Sequence, residues 1–451
     1  MDLQGKKVIV AGSGVSGIGA VTLLGRLGAK IILYDGNKAL TKEEIRAKVP
    51  QGIELEIIIG DLTKEALDGT EIFVVSPGIP RDTLCVKQAE EAGLTIWGEI
   101  ELAYQASKGR LAAITGTNGK TTTTTLAGEI LKSWYTSVFV VGNIGIPYTS
   151  IALDTKEDSI TVAEISSFQL ETVWEFAPEV SAILNITPDH LNRHKTMENY
   201  IAIKESITKN QKLGNVCVLN YEDKELRKFG ETLEIPVIFF SSQRKLEQGF
   251  CLEGETIVYH TGKETIPFVR VSELQLVGSH NVENVMAAAA ITYVMGVPLK
   301  YICQAIKDFK AVEHRVEFVR NKNNVLYYND SKGTNPDASI QAIRAMVRPT
   351  LLIGGGYDKQ SEFDTYIDAF QGKIKYLVLL GATKDKIAKT AKDKGFHNII
   401  LTDSLKEAVK VCYEKAEPGD AVLLSPACAS WDMFQSYEER GKLFKEYVNS
   451  L

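Results

Sequence analysis

The chain has 451 residues, of which 44% are hydrophobic and 24% are charged. This is the composition of an ordinary globular protein, and the length is too great for one hydrophobic core, so we expect two to four domains. The 51 Lys and Arg residues are outnumbered by 57 Asp and Glu residues, which gives a net charge of −6. No basic face is indicated, and this argues against nucleic acid as a partner.

The six cysteines show no CxxC spacing, so we interpret them as free thiols of a reducing compartment and not as a disulfide framework or a zinc site. The N-terminus runs directly into a predicted strand and contains no signal-peptide pattern. The longest apolar block, residues 285–297, is interrupted and too short to cross a bilayer. We therefore expect a cytoplasmic protein without membrane insertion. A monomer is a separate expectation that these patterns do not decide.

Residues 1–100 are predicted to form a first doubly wound domain. A strand at residues 7–11 leads into Gly12-Ser13-Gly14-Val15-Ser16-Gly17, and a helix and a second strand ending at Asp35 follow. This is the G-x-G-x-x-G pattern of dinucleotide sites, although any nucleotide phosphate can bind the same helix N-terminus. A further strand at residues 72–75 ends in Ser76-Pro77-Gly78, which is either a second ligand wall or a connecting turn.

Residues 101–311 are predicted to form a nucleotide domain around a phosphate loop. An apolar strand at residues 111–114 is followed by Gly116-Thr117-Asn118-Gly119-Lys120-Thr121-Thr122 and a helix. Glycines let backbone N–H groups converge on an anion, Lys120 can reach the outer phosphates, and the Thr121 hydroxyl can bind Mg²⁺. Ile114 stands where the full G-x-x-x-x-G-K-[ST] signature has glycine. The alternative is an ordinary strand-to-helix turn with an exposed lysine.

Two further strands of this domain end in polar residues. Glu164 interrupts an apolar run, where a carboxylate is costly unless it is paired or binds a metal. A strand at residues 180–186 precedes Thr187-Pro188, which resembles a helix start, and then His190. Because carboxyl ends of parallel strands gather at one sheet edge, we expect Glu164, His190 and the phosphate loop to converge around Mg²⁺.

Simpler interpretations of these residues stay open at this point. Glu164 could belong to a structural salt bridge. His190 and His194 are four residues apart and could bind zinc from one helix face, although no third ligand is evident. Lys204 has the pattern of a solvated helix lysine, and Asn281 has that of a capping residue.

Residues 312–451 are predicted to form a third, Rossmann-like α/β domain. Strands at residues 325–329, 350–353, 376–380 and 421–424 alternate with helices, and most end in polar loops. Lys332, Thr334, Lys359 and Ser430 in these loops would suit a small ligand with carboxylates. Cys428 could be a nucleophile, but without a histidine partner a packed free cysteine is favoured.

Together these motifs resemble those of the Mur ligases, the ATP-dependent amino-acid ligases of peptidoglycan precursor synthesis, over essentially the whole chain. The motifs that carry the resemblance are Gly116–Thr121, Glu164 with Ser166-Ser167-Phe168-Gln169-Leu170-Glu171, Asp189-His190, Gly278-x-His280-Asn281 and His314-Arg315. Two third-domain motifs are similar to those of the D-glutamate-adding member: Asn329-Asp330-Ser331-Lys332-Gly333-Thr334-Asn335 and Ser425-Pro426-Ala427-Cys428-Ala429-Ser430-x-Asp432. In this family the absence of a glycine at Ile114 is normal.

The resemblance implies a three-domain α/β fold: a Rossmann-like domain for a UDP substrate, a central P-loop domain with a parallel sheet for ATP, and a Rossmann-like domain for an amino acid. It implies ligation of D-glutamate to UDP-N-acetylmuramoyl-L-alanine through an acyl phosphate. It also implies two Mg²⁺ ions and carbamylation of Lys204. The implied catalytic residues and metal ligands are Lys120, Thr121, Glu164, His190 and Lys204.

The resemblance also assigns a binding role to the other motif residues. For ATP these are Gly116, Thr117, Asn118, Gly119, Lys120, Thr121, Thr122, Asn281, Arg315 and Asp330. For the UDP substrate they are Val15, Ser16, Asp35, Ser76, Pro77, Gly78, Asn143 and His190. For D-glutamate they are Lys332, Thr334, Lys359, Ser430 and Tyr437.

Two alternatives come from other functional classes. A dehydrogenase would bind NAD(P)H at Gly12, Gly14 and Gly17, but it leaves Gly119-Lys120-Thr121 without a role. A P-loop switch or interaction module would hydrolyse ATP, but it leaves the polar loops of the third domain without a role. Folylpolyglutamate synthases share the ATP domain, but they would not explain the N-terminal G-x-G-x-x-G.

Overall fold

A computed structural model describes residues 2–143, 146–276, 278–310 and 313–451. The predicted domain boundary at residues 311 and 312 lies outside the described residues. Within the described ranges the strands form three sheets, and helices alternate with most of the strands. None of the helices in these ranges is both long enough and apolar enough to span a membrane.

The first sheet has the order β3-β2-β1-β4-β5, and all of its pairs are parallel. Its strands are β1 Lys7–Ala11, β2 Lys30–Asp35, β3 Leu55–Ile59, β4 Thr70–Val75 and β5 Thr95–Gly98, with helices α1 Val15–Arg26, α2 Lys42–Lys48, α3 Lys64–Leu67, α4 Leu84–Glu91 and α5 Glu99–Ala106. The central strands are continuous apolar runs because helices cover both faces of a parallel sheet. Because β1 pairs with β4, the glycine-rich loop and Ser76-Pro77-Gly78 follow adjacent strands.

The second sheet has the order β14-β13-β12-β11-β10-β9-β6-β8-β7. Its strands are β6 Arg110–Thr115, β7 Val138–Gly142, β8 Ile160–Glu164, β9 Val180–Ile183, β10 Val216–Asn220, β11 Val237–Ser241, β12 Gly249–Glu253, β13 Thr256–His260 and β14 Thr265–Arg270. The helices of this stretch are α6 Lys120–Lys132, α7 Ser167–Leu170, α8 Leu191–His194, α9 Met197–Glu205, α10 Lys224–Thr232, α11 Ser279–Val294 and α12 Leu299–Asp308, with 3₁₀ turns at Tyr148–Ser150, Ala152–Asp154, Ser206–Thr208 and Val271–Glu273. Strand β6 lies between β9 and β8, so the strand ends that carry the phosphate loop, Glu164 and the His190 segment are neighbours.

The third sheet has the order β15-β16-β20-β17-β18-β19 and is parallel except for the edge strand β15. Its strands are β15 Glu317–Lys322, β16 Val325–Asn329, β17 Thr350–Gly354, β18 Ile374–Leu379, β19 Ile399–Leu401 and β20 Ala421–Leu424, with helices α13 Pro336–Ala345, α14 Asp364–Asp368, α15 Lys384–Asp393, α16 Leu405–Lys415 and α17 Tyr437–Asn449. Apolar residues cover both faces of this sheet in separate clusters.

The residues separate into two compact units, Met1–Arg270 with Asn284–Ile306, and Val271–Glu283 with Lys307–Leu451. The first unit contains the first two sheets, and one apolar cluster that includes Val8, Trp97 and Tyr148 is common to both of them. The predicted α/β class with three domains is confirmed. The central sheet is parallel from β12 to β7, but it is extended by the antiparallel strands β13 and β14, which were not predicted.

Candidate active site

The phosphate loop has the conformation that its glycines allow. Helix α6 begins at Lys120, and Gly116 and Gly119 have φ angles of 148° and 86°. A Cβ atom on Gly119 would lie 2.3 Å from Asn284 Oδ1, so the position excludes larger residues by space as well as by backbone conformation. Asn185 fixes the loop because its carbonyl accepts from Thr117 N and its Oδ1 accepts from Asn118 N. The loop is therefore a preformed structure.

Lys120 is folded back into this loop. Its ammonium donates to the carbonyl oxygens of Gly116 at 2.8 Å and Thr117 at 2.9 Å. The side chain is half-buried, so the exposed lysine of the alternative interpretation is not observed. An ammonium held by backbone oxygens can exchange those contacts for phosphate oxygens.

Lys204 is not the solvated helix lysine that its sequence context indicates. It is only 1% exposed, and its Nζ lies 2.8 Å from Gly116 O and 3.4 Å from Thr115 Oγ1. Burial lowers the pKa of Lys204 well below its ordinary value, and the nearby Lys120 charge lowers it further, whereas Asp189 and Glu164 oppose the shift. Lys204 is thus a buried amine at the phosphate loop.

Glu164 ends strand β8 and is 2% exposed. Its Oε1 accepts a hydrogen bond from Asn143 Nδ2 at 2.9 Å, and its Oε2 is buried without a hydrogen-bond partner among the described residues. The salt bridge that was the alternative for Glu164 is not formed within the described part of the chain. A buried carboxylate oxygen without a donor is costly, and a hard cation such as Mg²⁺ would satisfy it.

The segment before His190 is not helical, contrary to the predicted helix start at Thr187-Pro188. The backbone N–H of Ile186 donates to Asp223, and that of Thr187 donates to Thr117 Oγ1. Helix α8 therefore begins only at Leu191, after His190 with a positive φ of 54°. The imidazole of His190 packs edge-on against the Phe168 ring, with ring centroids 4.8 Å apart.

His194 is fully buried, and among the described residues its ring has one hydrogen-bond partner, Ser167. Its Nε2 lies 2.9 Å from Ser167 Oγ, and its Nδ1 lies 3.3 Å from Glu171 Oε1. The zinc interpretation of His190 and His194 is not supported. Among the described residues, no group of three or more His, Cys, Asp and Glu side chains that could hold a metal ion contains these two histidines. Burial lowers the pKa of His194 to about 4, and the positive charges of His190, Arg193 and Lys204 add to this.

The pKa of His194 predicts a loss of stability in mild acid. Because the folded-state pKa is below the unfolded value of 6.5, the unfolded chain binds the proton first as the pH falls. Stability from this group is complete above pH 6.5 and declines toward pH 4, with a loss of about 2 kcal/mol at pH 5. Urea unfolding at pH 7 and pH 5 should show a smaller decline for His194→Gln than for the unsubstituted protein. The exposed His397→Gln is the control, and an equal decline in all three proteins would contradict the assignment.

In the first sheet, Asp35 faces the glycine-rich loop. Its Oδ2 accepts from the N–H of Ser13 at 2.9 Å and from the Ser13 hydroxyl, and its Oδ1 accepts from Asn37 N at 3.0 Å. Burial acts to raise the pKa of Asp35, but the hydrogen bonds from Ser13 and Asn37 outweigh it and lower the pKa. Asp35 therefore shapes this loop, and its contact with a nucleotide stays a prediction.

Ser76 follows strand β4, and its side chain lies next to two glycines. Its buried Oγ has no hydrogen-bond partner in the described ranges, and a Cβ atom on Gly12 would lie 2.7 Å from it. A Cβ atom on Gly17 would lie 1.8 Å from the Gly12 carbonyl, so Gly12 is required by the approach of Ser76 and Gly17 by the tight turn of its own loop. Val15 is 77% exposed at the start of α1, so it is accessible to a ligand.

In the third sheet, Asp330 is fully buried. Its Oδ2 accepts from Ser425 Oγ at 2.7 Å, and its Oδ1 accepts from Val316 N and lies 3.9 Å from Arg315 Nη1. Burial raises the pKa of Asp330 to about 6, against the lowering effect of Arg315 and Ser425. Arg315 lies between His314 and Val316, whose φ angles are 65° and 45°. Positive φ at a β-branched residue is strained, so the segment around Arg315 is held by its contacts.

Four of the predicted D-glutamate residues lie on three loops of the third sheet, and the fifth, Tyr437, begins helix α17. The Lys332 ammonium lies 5.4 Å from the centroid of the Tyr437 ring, and the Lys359 ammonium lies 5.5 Å from the centroid of the Trp431 ring. Ser430 is buried next to Trp431. Burial raises the pKa of the Cys428 thiol to about 12, which removes the nucleophile alternative for that residue.

Arg440 connects two of these loops, those after β16 and β20, and was missed from the sequence. Its guanidinium donates to Ser331 Oγ at 3.0 Å, Ser331 O at 2.8 Å and Cys428 O at 3.2 Å. The residue is 2% exposed, and burial lowers its pKa to about 10. In the sequence Arg440 follows two glutamates on an amphipathic helix, which is the pattern of a solvated residue, so no local signal marked it.

Three Mur ligase family models match the chain. They are described as the MurD-like N-terminal domain over residues 6–98, the middle domain over residues 114–292 and the glutamate ligase domain over residues 314–428. A UDP-N-acetylmuramoylalanine–D-glutamate ligase of Lachnoclostridium phytofermentans is 56% identical over all of this chain and 99% of its own length. The chain belongs to the Mur ligase family. It is therefore a ligase, and the resemblance found in its motifs is confirmed.

Other relatives agree with this assignment. A UDP-N-acetylmuramoylalanine–D-glutamate ligase of Clostridioides difficile is 46% identical over the full length of both chains. The solved structure of MurC, a UDP-N-acetylmuramate–alanine ligase from Thermotoga maritima, has a TM-score of 0.61 at 18% identity over 99% of each chain. MurF from Thermotoga maritima in complex with ADP has a TM-score of 0.59 at 18% identity over 100% of this chain and 96% of its own. At this identity the two structures show a common fold. Family membership removes the dehydrogenase and nucleotide-switch alternatives.

Proposed function

We propose that this Mur ligase uses ATP to join D-glutamate to UDP-N-acetylmuramoyl-L-alanine, a step of peptidoglycan precursor synthesis. The observation that carries the proposal is the 56% identity over whole chains to a ligase named for this reaction. The polar loops of the third sheet support it, because they contain lysines and hydroxyls suited to a dicarboxylate. The activated nucleotide substrates are cytoplasmic compounds, so we propose a cytoplasmic location.

The proposed chemistry begins with phosphorylation because a carboxylate is a poor electrophile. The alanyl carboxylate attacks the γ-phosphorus of ATP, the bond to ADP breaks, and an acyl phosphate forms. The amine of D-glutamate then attacks the acyl carbon and gives a tetrahedral intermediate, from which inorganic phosphate leaves as the amide forms. Catalysis in such a sequence is mainly positioning and neutralisation of charge.

The residues proposed for ATP begin with the phosphate loop. Lys120 would leave the carbonyls of Gly116 and Thr117 and bind the β- and γ-phosphates, where its charge offsets that of the transferred group. The N-terminus of α6 adds a partial positive charge to the same place. The further proposed contacts with the nucleotide are Thr117, Asn118, Thr122, Asn281, Arg315 and Asp330.

The donor set around Glu164 fits Mg²⁺, since a buried carboxylate oxygen has no other donor in the described residues. We propose Thr121, Glu164, His190 and a carbamylated Lys204 as the ligands of two ions. The ions, when bound, neutralise phosphate charge. Carbamylation needs an uncharged amine, which attacks CO₂ and loses a proton, and the burial that lowers the pKa of Lys204 supplies that form.

The residues proposed for the two remaining substrates lie mainly in the loops of the first and the third sheets. Lys332, Lys359 and the hydroxyls of Thr334, Ser430 and Tyr437 would hold the two carboxylates of D-glutamate, with Arg440 fixing the loops that carry them. The UDP substrate would contact the glycine-rich loop and the loop after β4. Its proposed contacts are Val15, Ser16, Asp35, Ser76, Pro77, Gly78, Asn143 and His190.

Phosphate release tests the function directly. The protein is mixed with ATP, Mg²⁺ and UDP-N-acetylmuramoyl-L-alanine, with or without D-glutamate. We expect sustained phosphate release only in the complete mixture, with one amide product per phosphate. L-glutamate and D-alanine are the matched controls and should not replace D-glutamate. Release that is independent of D-glutamate would overturn the proposal.

A further inference from the structure

Arg193 joins the loop after β4 in the first sheet to the second sheet. Its Nη2 donates to the carbonyl oxygen of Ile79 at 3.0 Å, and its Nη1 donates to that of Gly78 at 3.4 Å. The first carbonyl to follow Ser76-Pro77-Gly78 is that of Ile79, and the Gly78 carbonyl belongs to this loop, which is proposed to contact the UDP substrate. Arg193 itself lies in α8, three residues after His190. One side chain therefore bridges two elements of the proposed substrate site.

Glu171 holds the other side of the Arg193 guanidinium. Its Oε1 accepts from Arg193 Nε at 3.2 Å and its Oε2 from Nη2, so the pair is bidentate. The side chains are 12% and 9% exposed, and Glu171 Oε1 also lies 3.3 Å from His194 Nδ1. A bidentate pair with this little exposure fixes direction as well as charge, which a lysine could not do.

Aromatic packing connects the same guanidinium to His190. Its central carbon lies 4.9 Å from the centroid of the Phe168 ring, and that ring also contacts the edge-on imidazole of His190 and the tilted imidazole of His194. Beside the pair lies a cavity of about 340 Å³, lined in part by Pro80, Arg81, Glu171 and Arg193. Because the loop after β4 borders a cavity on this side and is not closely packed, the hydrogen bonds from Arg193 hold its backbone in place.

We infer that Arg193 and Glu171 form a positioning pair that sets the Ser76–Gly78 loop relative to His190 for binding of the UDP substrate. The inference rests on the proposed function. The pair touches no reacting atom. Its effect is to fix where the loop backbone meets the nucleotide part of the substrate, so its loss should act on that substrate and not on ATP or D-glutamate.

The test compares Arg193→Met, Arg193→Lys and Glu171→Gln with a matched pair elsewhere. Arg110 and Glu179 also form a bidentate pair, and Arg110 donates to a backbone carbonyl of residue 295, far from the substrate loops. Arg110→Met therefore controls for the loss of a bidentate arginine. We expect the KM for UDP-N-acetylmuramoyl-L-alanine to rise at least tenfold in both Arg193 variants and less in Glu171→Gln. The KM values for ATP and D-glutamate should stay within twofold.

Equilibrium binding separates positioning from general damage. Titration of each folded variant with UDP-N-acetylmuramoyl-L-alanine in the absence of ATP should show a Kd raised at least tenfold for Arg193→Lys and unchanged for Arg110→Met. An unchanged Kd in Arg193→Lys, or an equal rise of all three KM values, overturns the inference. If Arg193→Met does not fold, Arg193→Lys and Glu171→Gln decide the result. If the unsubstituted protein fails to bind this substrate, the proposed function is overturned, and the inference with it.

Discussion

Replacement of Lys120 with alanine should lower kcat by about a thousandfold or more without unfolding the protein. Among the hydrogen bonds of the described residues, only the Lys120 ammonium donates to the Thr117 carbonyl from a side chain. The substitution removes this ammonium, which is the cation proposed to bind the outer phosphates of ATP. Loss of one preorganised charge at a developing anion typically costs about 10²–10³ in kcat, and loss of phosphate positioning adds to it. Phosphate release with all substrates measures the effect.

Lys132→Ala is the matched control for this experiment. Lys132 ends the same helix, is exposed and pairs only weakly with Glu129 three residues earlier. We expect unchanged kcat in this variant and unchanged circular dichroism in both. Activity of Lys120→Ala within tenfold of the unsubstituted protein would refute its role.

Lys204→Met should abolish ligation while leaving the protein as stable as before, or more stable. The methionine fills the space of the buried lysine and removes an amine that is costly to bury beside Lys120. Gly116 O keeps its hydrogen bond from Lys120, so no carbonyl is left without a donor. The proposed carbamate, which would bind Mg²⁺, is lost. Phosphate release and thermal unfolding measure the two effects separately.

The modification itself is measured with ¹³C-labelled bicarbonate. We expect a carbamate resonance in the unsubstituted protein and in Lys209→Met, an exposed lysine just after α9, and none in Lys204→Met. Depletion of CO₂ should lower activity, and bicarbonate should restore it. Full activity in Lys204→Met would exclude a role for this residue, with or without the modification.

Sequence patterns predicted the site residues whose positions depend on neighbouring residues in the chain. Strand, glycine loop and helix follow each other within about a dozen residues, so the phosphate loop was predicted with its residues. Glu164 was predicted because a carboxylate in an apolar strand requires a partner. The three-sheet organisation followed from the alternation of strands and helices. Strands β7 and β10 to β14 of the second sheet were not predicted.

The other residues depend on contacts between distant positions. Lys204 lies in a helix with polar neighbours, and only the approach of Gly116, 88 residues earlier, makes it a buried amine. Arg440 contacts Ser331 across 109 residues, and Arg193 contacts Ile79 across 114. A charged residue on a helix is usually solvated, so no single-sequence pattern distinguishes these three. Their partners became known only with the structure.

The carbonyl oxygen of Gly116, which accepts from both Lys120 and Lys204, implies an order of assembly. While Lys120 donates to this carbonyl, its charge helps to keep the Lys204 amine unprotonated, the form that reacts with CO₂. A nucleotide would draw Lys120 toward its phosphates, and the loss of this nearby charge would raise the pKa of Lys204. The proposed modification is therefore favoured before ATP arrives, so maturation of the enzyme would precede its first turnover.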